Sequence, residues 1–232
     1  MQAVTFCCRL LVAALLAFAA PAGANETQQE FVPELNAYIK LSERSRAYLQ
    51  AGATGRLTQG TSDGEIGAYL DYTLKPIYRL ELREANWERD RYLWVRAGYG
   101  LGGSQEGLKD FNERRFVLEA TGRMPLSNEV WLVHRGRVDL RSIDGESSQR
   151  YRYRLGIERE FNVKGVPLVP YAQAEAFYDT RFDALSRGLY QAGAEIELTK
   201  QWRIEPYYAR QHDMRPASGS VNRLGLVLKY YR

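Results

Sequence analysis

The 232-residue chain sets 32 Lys and Arg against 28 Asp and Glu, a formal charge of +4 with both signs on the same stretches. That balance excludes the one-signed basic stripe that a nucleic-acid partner requires. A mean hydropathy of -0.44 with 45% hydrophobic residues excludes a helical membrane protein, but not a transmembrane barrel, in which half of every strand faces a polar lumen. The 16 Tyr and 4 Trp suit both strands and a membrane interface.

Residues 1–24 read as a secretory signal, with Arg9 ahead of an apolar stretch over 10–20 and an Ala22-x-Ala24 ending. Cleavage is expected after Ala24. Cys7 and Cys8 fall inside this segment and no cysteine stands at the cleavage point, so the mature chain has no thiol. No later apolar run approaches the length of a membrane-spanning helix. Any membrane passage must therefore use strands.

Residues 25–34 are polar and read as a flexible periplasmic lead, leaving 35–232 as one domain. The first strand is expected over 35–41, where Leu35, Ala37, Ile39 and Leu41 alternate with Asn36, Tyr38 and Lys40. Strands over 46–57 and 65–75 follow. Pro76 breaks the pattern, so a strand over 77–87 starts on a turn or kink. Residues 91–101 place Leu93, Val95, Ala97 and Tyr99 outward and Trp94 and Arg96 inward, and 114–123 sets Phe116, Leu118 and Ala120 against Arg115, Val117, Glu119 and Thr121.

Residues 128–161 carry the clearest signal. In steps of two, Val130, Leu132, His134, Gly136, Val138 and Leu140 oppose Arg135, Arg137, Asp139 and Arg141. After a turn, Tyr151, Tyr153, Leu155 and Ile157 oppose Arg152, Arg154, Gly156 and Glu158. The same rhythm continues over 166–179, 188–199, 202–212 and 220–231, with no helical period to supply a covering layer. The fold class is all-β, a transmembrane antiparallel up-and-down β-barrel of about twelve strands, or ten if the Pro76 region is one bent strand. Connections from Gly102 onward alternate long and short, which places the short turns and both termini in the periplasm. The expected setting is the outer membrane of a Gram-negative bacterium, as a monomer or weak oligomer.

The segments RYRYRLGIEREF, VPYAQAEAFYD and VNRLGLVLKYY resemble an uncharacterised bacterial family of outer-membrane-barrel-like proteins known only as a domain of unknown function. The resemblance rests on Arg152 to Leu155, on Pro170 to Phe177 with Glu175, and on Asn222 to Tyr230. It is strongest over 150–231 and implies the barrel without implying an activity. Outer-membrane barrels usually finish on an aromatic residue read by the assembly machinery, whereas this chain ends Tyr230-Tyr231-Arg232.

By alternation the lumen candidates are Arg83, Arg96, Arg115, Arg135, Arg137, Asp139, Arg141, Arg152, Arg154, Glu158, Glu175, Glu195, Glu197, Arg203 and Arg223, with Arg79, Glu81, Glu119 and Glu205 on the same faces. Buried charges must be paired, so these groups either fill a structural barrel with salt bridges or leave an arginine track that selects anionic solutes. The track resembles small arginine-lined channels for acidic oligosaccharides in architecture and charge. Two histidines supply no metal pair. His134 stands on the apolar face. His212-Asp213, near Ser218 and Ser220, is the one place where a lipid hydrolase could be sought. A soluble periplasmic ligand-binding barrel is the structural rival. The reading carried forward is a small channel for anionic solutes with no catalytic group, cofactor or metal, its partners being outer-membrane lipid, the barrel assembly machinery and the solutes themselves.

Overall fold

The computed structural model describes residues 28–56, 62–74, 93–105, 112–127, 129–214 and 219–232. The expected signal segment 1–24 and the expected strand 77–87, with Arg79, Glu81 and Arg83, lie outside the described residues. The strands are β1 (Gln28–Lys40), β2 (Ser45–Arg56), β3 (Ser62–Thr73), β4 (Leu93–Gln105), β5 (Asn112–Pro125), β6 (Val130–Ile143), β7 (Glu146–Arg159), β8 (Phe161–Val163), β9 (Val166–Asp179), β10 (Ala184–Glu197), β11 (Trp202–Asp213) and β12 (Ser220–Tyr231). No helix among the described residues is long and apolar enough to cross a membrane.

Eleven of these strands close a ring. Neighbours pair antiparallel from β1 to β7, then β7 pairs β9 and the meander continues to β12, while β8 only folds back on the start of β9. The ring shuts where β1 meets β12, and there the pairing is parallel, from Gln28↔Val221 to Tyr38↔Tyr231. An odd ring forces this: in an up-and-down meander the first and last of eleven strands run the same way.

Two expectations change as a result. β1 begins at Gln28, so residues 28–34, read as part of a flexible lead, are strand, held by β12 on one side and β2 on the other. Gln28 and Tyr231 also stand at opposite rims, which overturns the placement of both ends of the domain on one side. β3 pairs directly with β4 from Ser62↔Gln105 to Thr73↔Trp94, so no strand intervenes in the ring there.

Alternation legible in the sequence sorts the faces. On β5, Phe116 and Leu118 are exposed outward while Glu113, Arg115, Val117, Glu119, Thr121 and Arg123 are buried inward. Leu49, Ile66, Leu70, Tyr153, Leu155, Ile157 and Leu224 complete an exposed apolar belt. Asp71 and Asp139, by contrast, are 0% exposed. This inversion is stable in lipid, where the closed ladder satisfies every ring strand and the apolar belt meets hydrocarbon.

Turn chemistry fixes the register of the strongest hairpin. The β6–β7 connection is only Asp144-Gly145, with φ of 51° and 90°, the two-residue turn whose twist matches the strands. Cross-strand pairing continues right up to the turn, at Ile143↔Glu146. Glycine is required elsewhere by close approach. A Cβ on Gly225 would collide with the Tyr207 ring, which crosses the lumen face of its registered partner. His134 folds its outward ring over Gly122 in the same way, which accounts for a histidine among Val and Leu.

Candidate functional site

The lumen is built from register rows that climb obliquely through the barrel. One row runs Tyr231, Tyr38, Tyr48, Tyr69, Gly98, Val117, Asp139, Arg150 and Asp179. Its four tyrosines stack across the parallel seam, with centroids 4.8, 4.8 and 5.3 Å apart. Guanidinia cap the stack, Arg46 at 4.4 Å from the Tyr38 ring, Arg96 at 3.8 Å from Tyr48 and Arg203 at 4.5 Å from Tyr231. Asp71 ties two of them together, accepting Arg46 Nε at 2.6 Å and Arg96 Nε at 2.6 Å. Aromatic faces and a shared carboxylate thus hold this side of the lumen as one packed unit.

On β6 and β7 the register places like charges opposite one another. Arg135 faces Arg154, and Arg137 faces Arg152. Such pairs repel unless anions flank them. Glu175 on β9 supplies one, at 2.9 Å from Arg135 Nη2, 2.7 Å from Arg152 Nε and 2.7 Å from Arg154 Nη2. Glu119 on β5 supplies another, 3.6 Å from Arg135 and 3.8 Å from Arg137. Asp139 holds Arg137 at 2.5 Å and Arg150 at 2.7 Å. Five arginines therefore share three carboxylates. The Nε of Arg135 and Oε2 of Glu119 are buried without a hydrogen bond among the described residues.

The facing wall is richer in carboxylates. Lys229 bridges Glu195 at 2.6 Å and Glu205 at 2.5 Å, and Arg203 holds Glu195 at 2.9 Å and Glu197 at 3.5 Å. Tyr171 donates to Glu205 at 2.5 Å and accepts from Gln191 at 2.7 Å. Glu34 accepts from Asn36 at 2.6 Å and makes no ion pair among the described residues. A cavity of 590 Å³ separates the walls, lined by Arg135, Arg137, Arg150, Arg152 and Arg154 on one side and by Glu34, Glu65, Glu205, Tyr171 and Tyr207 on the other.

Every candidate from the sequence that falls among the described residues sits on the inward parity: Arg96, Arg115, Arg135, Arg137, Asp139, Arg141, Arg152, Arg154, Glu158, Glu175, Glu195, Glu197, Arg203 and Arg223. Several are spent on local pairs away from the β6–β7 arginines. Arg141 joins Glu113 and Asp179, Arg115 joins Glu65, Arg223 joins Glu30, and Glu158 joins Arg123. Arg46, Arg150, Lys229 and the tyrosine row were missed. The parity of Arg152 and Arg154 reaches Arg150, and that of Arg223 reaches Lys229, so the signal for those two was present.

At the opposite rim His212 and Ser220 are registered partners, with Nδ1 3.2 Å from Oγ. No carboxylate among the described residues bonds to that imidazole, and Asp213 lies on the opposite parity. Among the described residues, nothing there orients a general base. Trp131 is buried beneath Arg123, whereas Trp202 is exposed and packs on Tyr230 at 4.8 Å, an interface pair at the C-terminal rim.

A family model described as Protein of unknown function (DUF2490) matches residues 35–222. No curated protein matches the chain. Among solved structures it is similar to the β domain of the Bordetella autotransporter BrkA (16% identity, 75% of this chain and 79% of that one, TM-score 0.49). It is also similar to LpxR from Salmonella typhimurium (8%, 81% and 83%, 0.49). A third likeness is to an anion-selective porin from Comamonas acidovorans (16%, 80% and 55%, 0.36). These are outer-membrane barrels, and the likeness is one of fold.

Proposed function

We propose, from the premise that this chain belongs to the DUF2490 family and inherits no activity from it, that the protein is a narrow outer-membrane channel favouring small anionic solutes. The observation that carries the reading is the arginine excess on the β6–β7 wall, where five guanidinia share three carboxylates beside a 590 Å³ cavity. A barrel filled only for stability has no use for unbalanced buried charge, because each unpaired ion in a low-dielectric interior is costly. Facing a solute path, the same excess lowers the energy of an anion and raises that of a cation. The apolar belt and the closed strand ladder suit the outer membrane, reached by export and by the barrel assembly machinery.

The test is conductance of the detergent-refolded chain in a planar bilayer under a salt gradient. Reproducible steps with an anion-selective reversal potential are expected, and replacing Arg137 or Arg152 by Gln should lower the anion-to-cation permeability ratio. A silent bilayer from a demonstrably folded barrel would replace the channel with a salt-bridge-filled structural barrel.

A further inference from the structure

The arginine excess is not spread along the lumen but concentrated in a two-by-two array. Arg135 and Arg154 are direct partners, and Arg137 and Arg152 are direct partners one step along the same two strands. Directly opposed Cα atoms stand about 5 Å apart and same-face neighbours along a strand about 7 Å apart. The Cα atoms of the four arginines thus frame an area of about 5 by 7 Å, on the scale of one tetrahedral oxyanion, and the guanidinia of Arg135, Arg152 and Arg154 already meet at Glu175. Their side chains retain 11 to 21% exposure and all four line the cavity. Glu175 and Glu119 brace the array from its two flanks, on β9 and β5. Glu175 is not among the residues that line the cavity, whereas Glu119 lines it beside Arg135 and Arg137. Among the described residues, with Arg150 and Asp139 included, two positive charges are left over and the buried Arg135 Nε has no acceptor.

We infer that the array is a binding site for one dianionic oxyanion, a phosphate or phosphomonoester group, held by the forks of Arg135, Arg137, Arg152 and Arg154. Guanidinium forks match such oxygens in geometry as well as charge. A dianion cancels the local excess, where chloride would cancel half of it and offer no second acceptor. The inference deepens the channel reading and rests on it for the route by which the ligand arrives. It names what pauses in the lumen on the way through.

The probe is inorganic phosphate, titrated against the refolded full-length barrel at constant ionic strength with chloride as the reference, and read by calorimetry and by thermal unfolding. Phosphate is expected to bind and to raise the unfolding temperature, as any ligand selective for the folded state does. R137K and R152K keep the charge but lose the fork, and each should weaken phosphate by roughly tenfold or more. E175Q removes the internal anion that competes for three of the forks and should tighten phosphate several-fold even as it lowers stability. A purely structural cluster would lose stability without any gain in affinity. Phosphate no better than chloride, or lysine variants that fold and bind unchanged, would overturn the site. Anion-selective conductance without phosphate binding removes the site and leaves the channel, and phosphate binding in a silent barrel removes the channel and leaves the site.

Discussion

Asp71 is 0% exposed between Arg46 and Arg96, and its weight follows from what its removal would leave behind. Two guanidinia buried among tyrosine rings would lose their shared counter-ion, a loss of about 3–5 kcal/mol for a broken buried pair. D71N is therefore expected to lower the urea midpoint of the barrel in detergent sharply. The Glu129–Arg159 pair at 3.3 Å has side chains 59% and 53% exposed, and E129A should cost at most about 1 kcal/mol. Equal effects of the two substitutions would contradict the account of the lumen as a low-dielectric packed unit. Neither contrast is visible in the sequence. Alternation puts Asp71 inward, but only the register across β2, β3 and β4 brings it to Arg46 and Arg96.

Strand by strand, most of the ring was legible because lipid and lumen impose opposite demands on successive residues. The bounds of β9 and β12 agree with the reading from periodicity, and the faces of β4 to β7 agree residue by residue. The seam was not legible, since residues 28–34 lack a strong apolar alternation and become strand only by contact with both neighbours. Cysteine pairs test it: outward positions Phe31 with Leu224 and Leu35 with Leu228 are registered partners in the parallel sense. With the chain's own Cys7 and Cys8 replaced, F31C/L224C and L35C/L228C should both be joined by a short thiol cross-linker and change mobility on unheated gels. An antiparallel closure would allow one of them at most. The tyrosine row was hidden for the same reason, because Tyr38 and Tyr231 are 193 positions apart in the chain and meet only once the ring shuts.

For the molecule as a whole, the outward belt of Leu, Ile and Tyr predicts that the folded protein is monodisperse only with detergent or lipid present. Folded, monodisperse protein in plain buffer, judged by circular dichroism and light scattering, would restore the soluble periplasmic barrel. At this scale the arginines of 135–154 and the glutamates Glu195 and Glu205 stand on unlike walls with the cavity between them. Which arginines are free to meet a solute was not legible, because local partners such as Glu113, Asp179 and Glu65 are assigned by register alone. The parallel seam has a further bearing on how the molecule is wired into its surroundings. A chain with an even ring enters and leaves on one face and is, in effect, a loop hung from that side. Here the two ends of the strand meander emerge on different faces, so the barrel is a directed thread across its membrane. With the barrel inserted in a membrane, reporters fused directly at Gln28 and at Arg232 are expected on opposite sides, which protease accessibility would check.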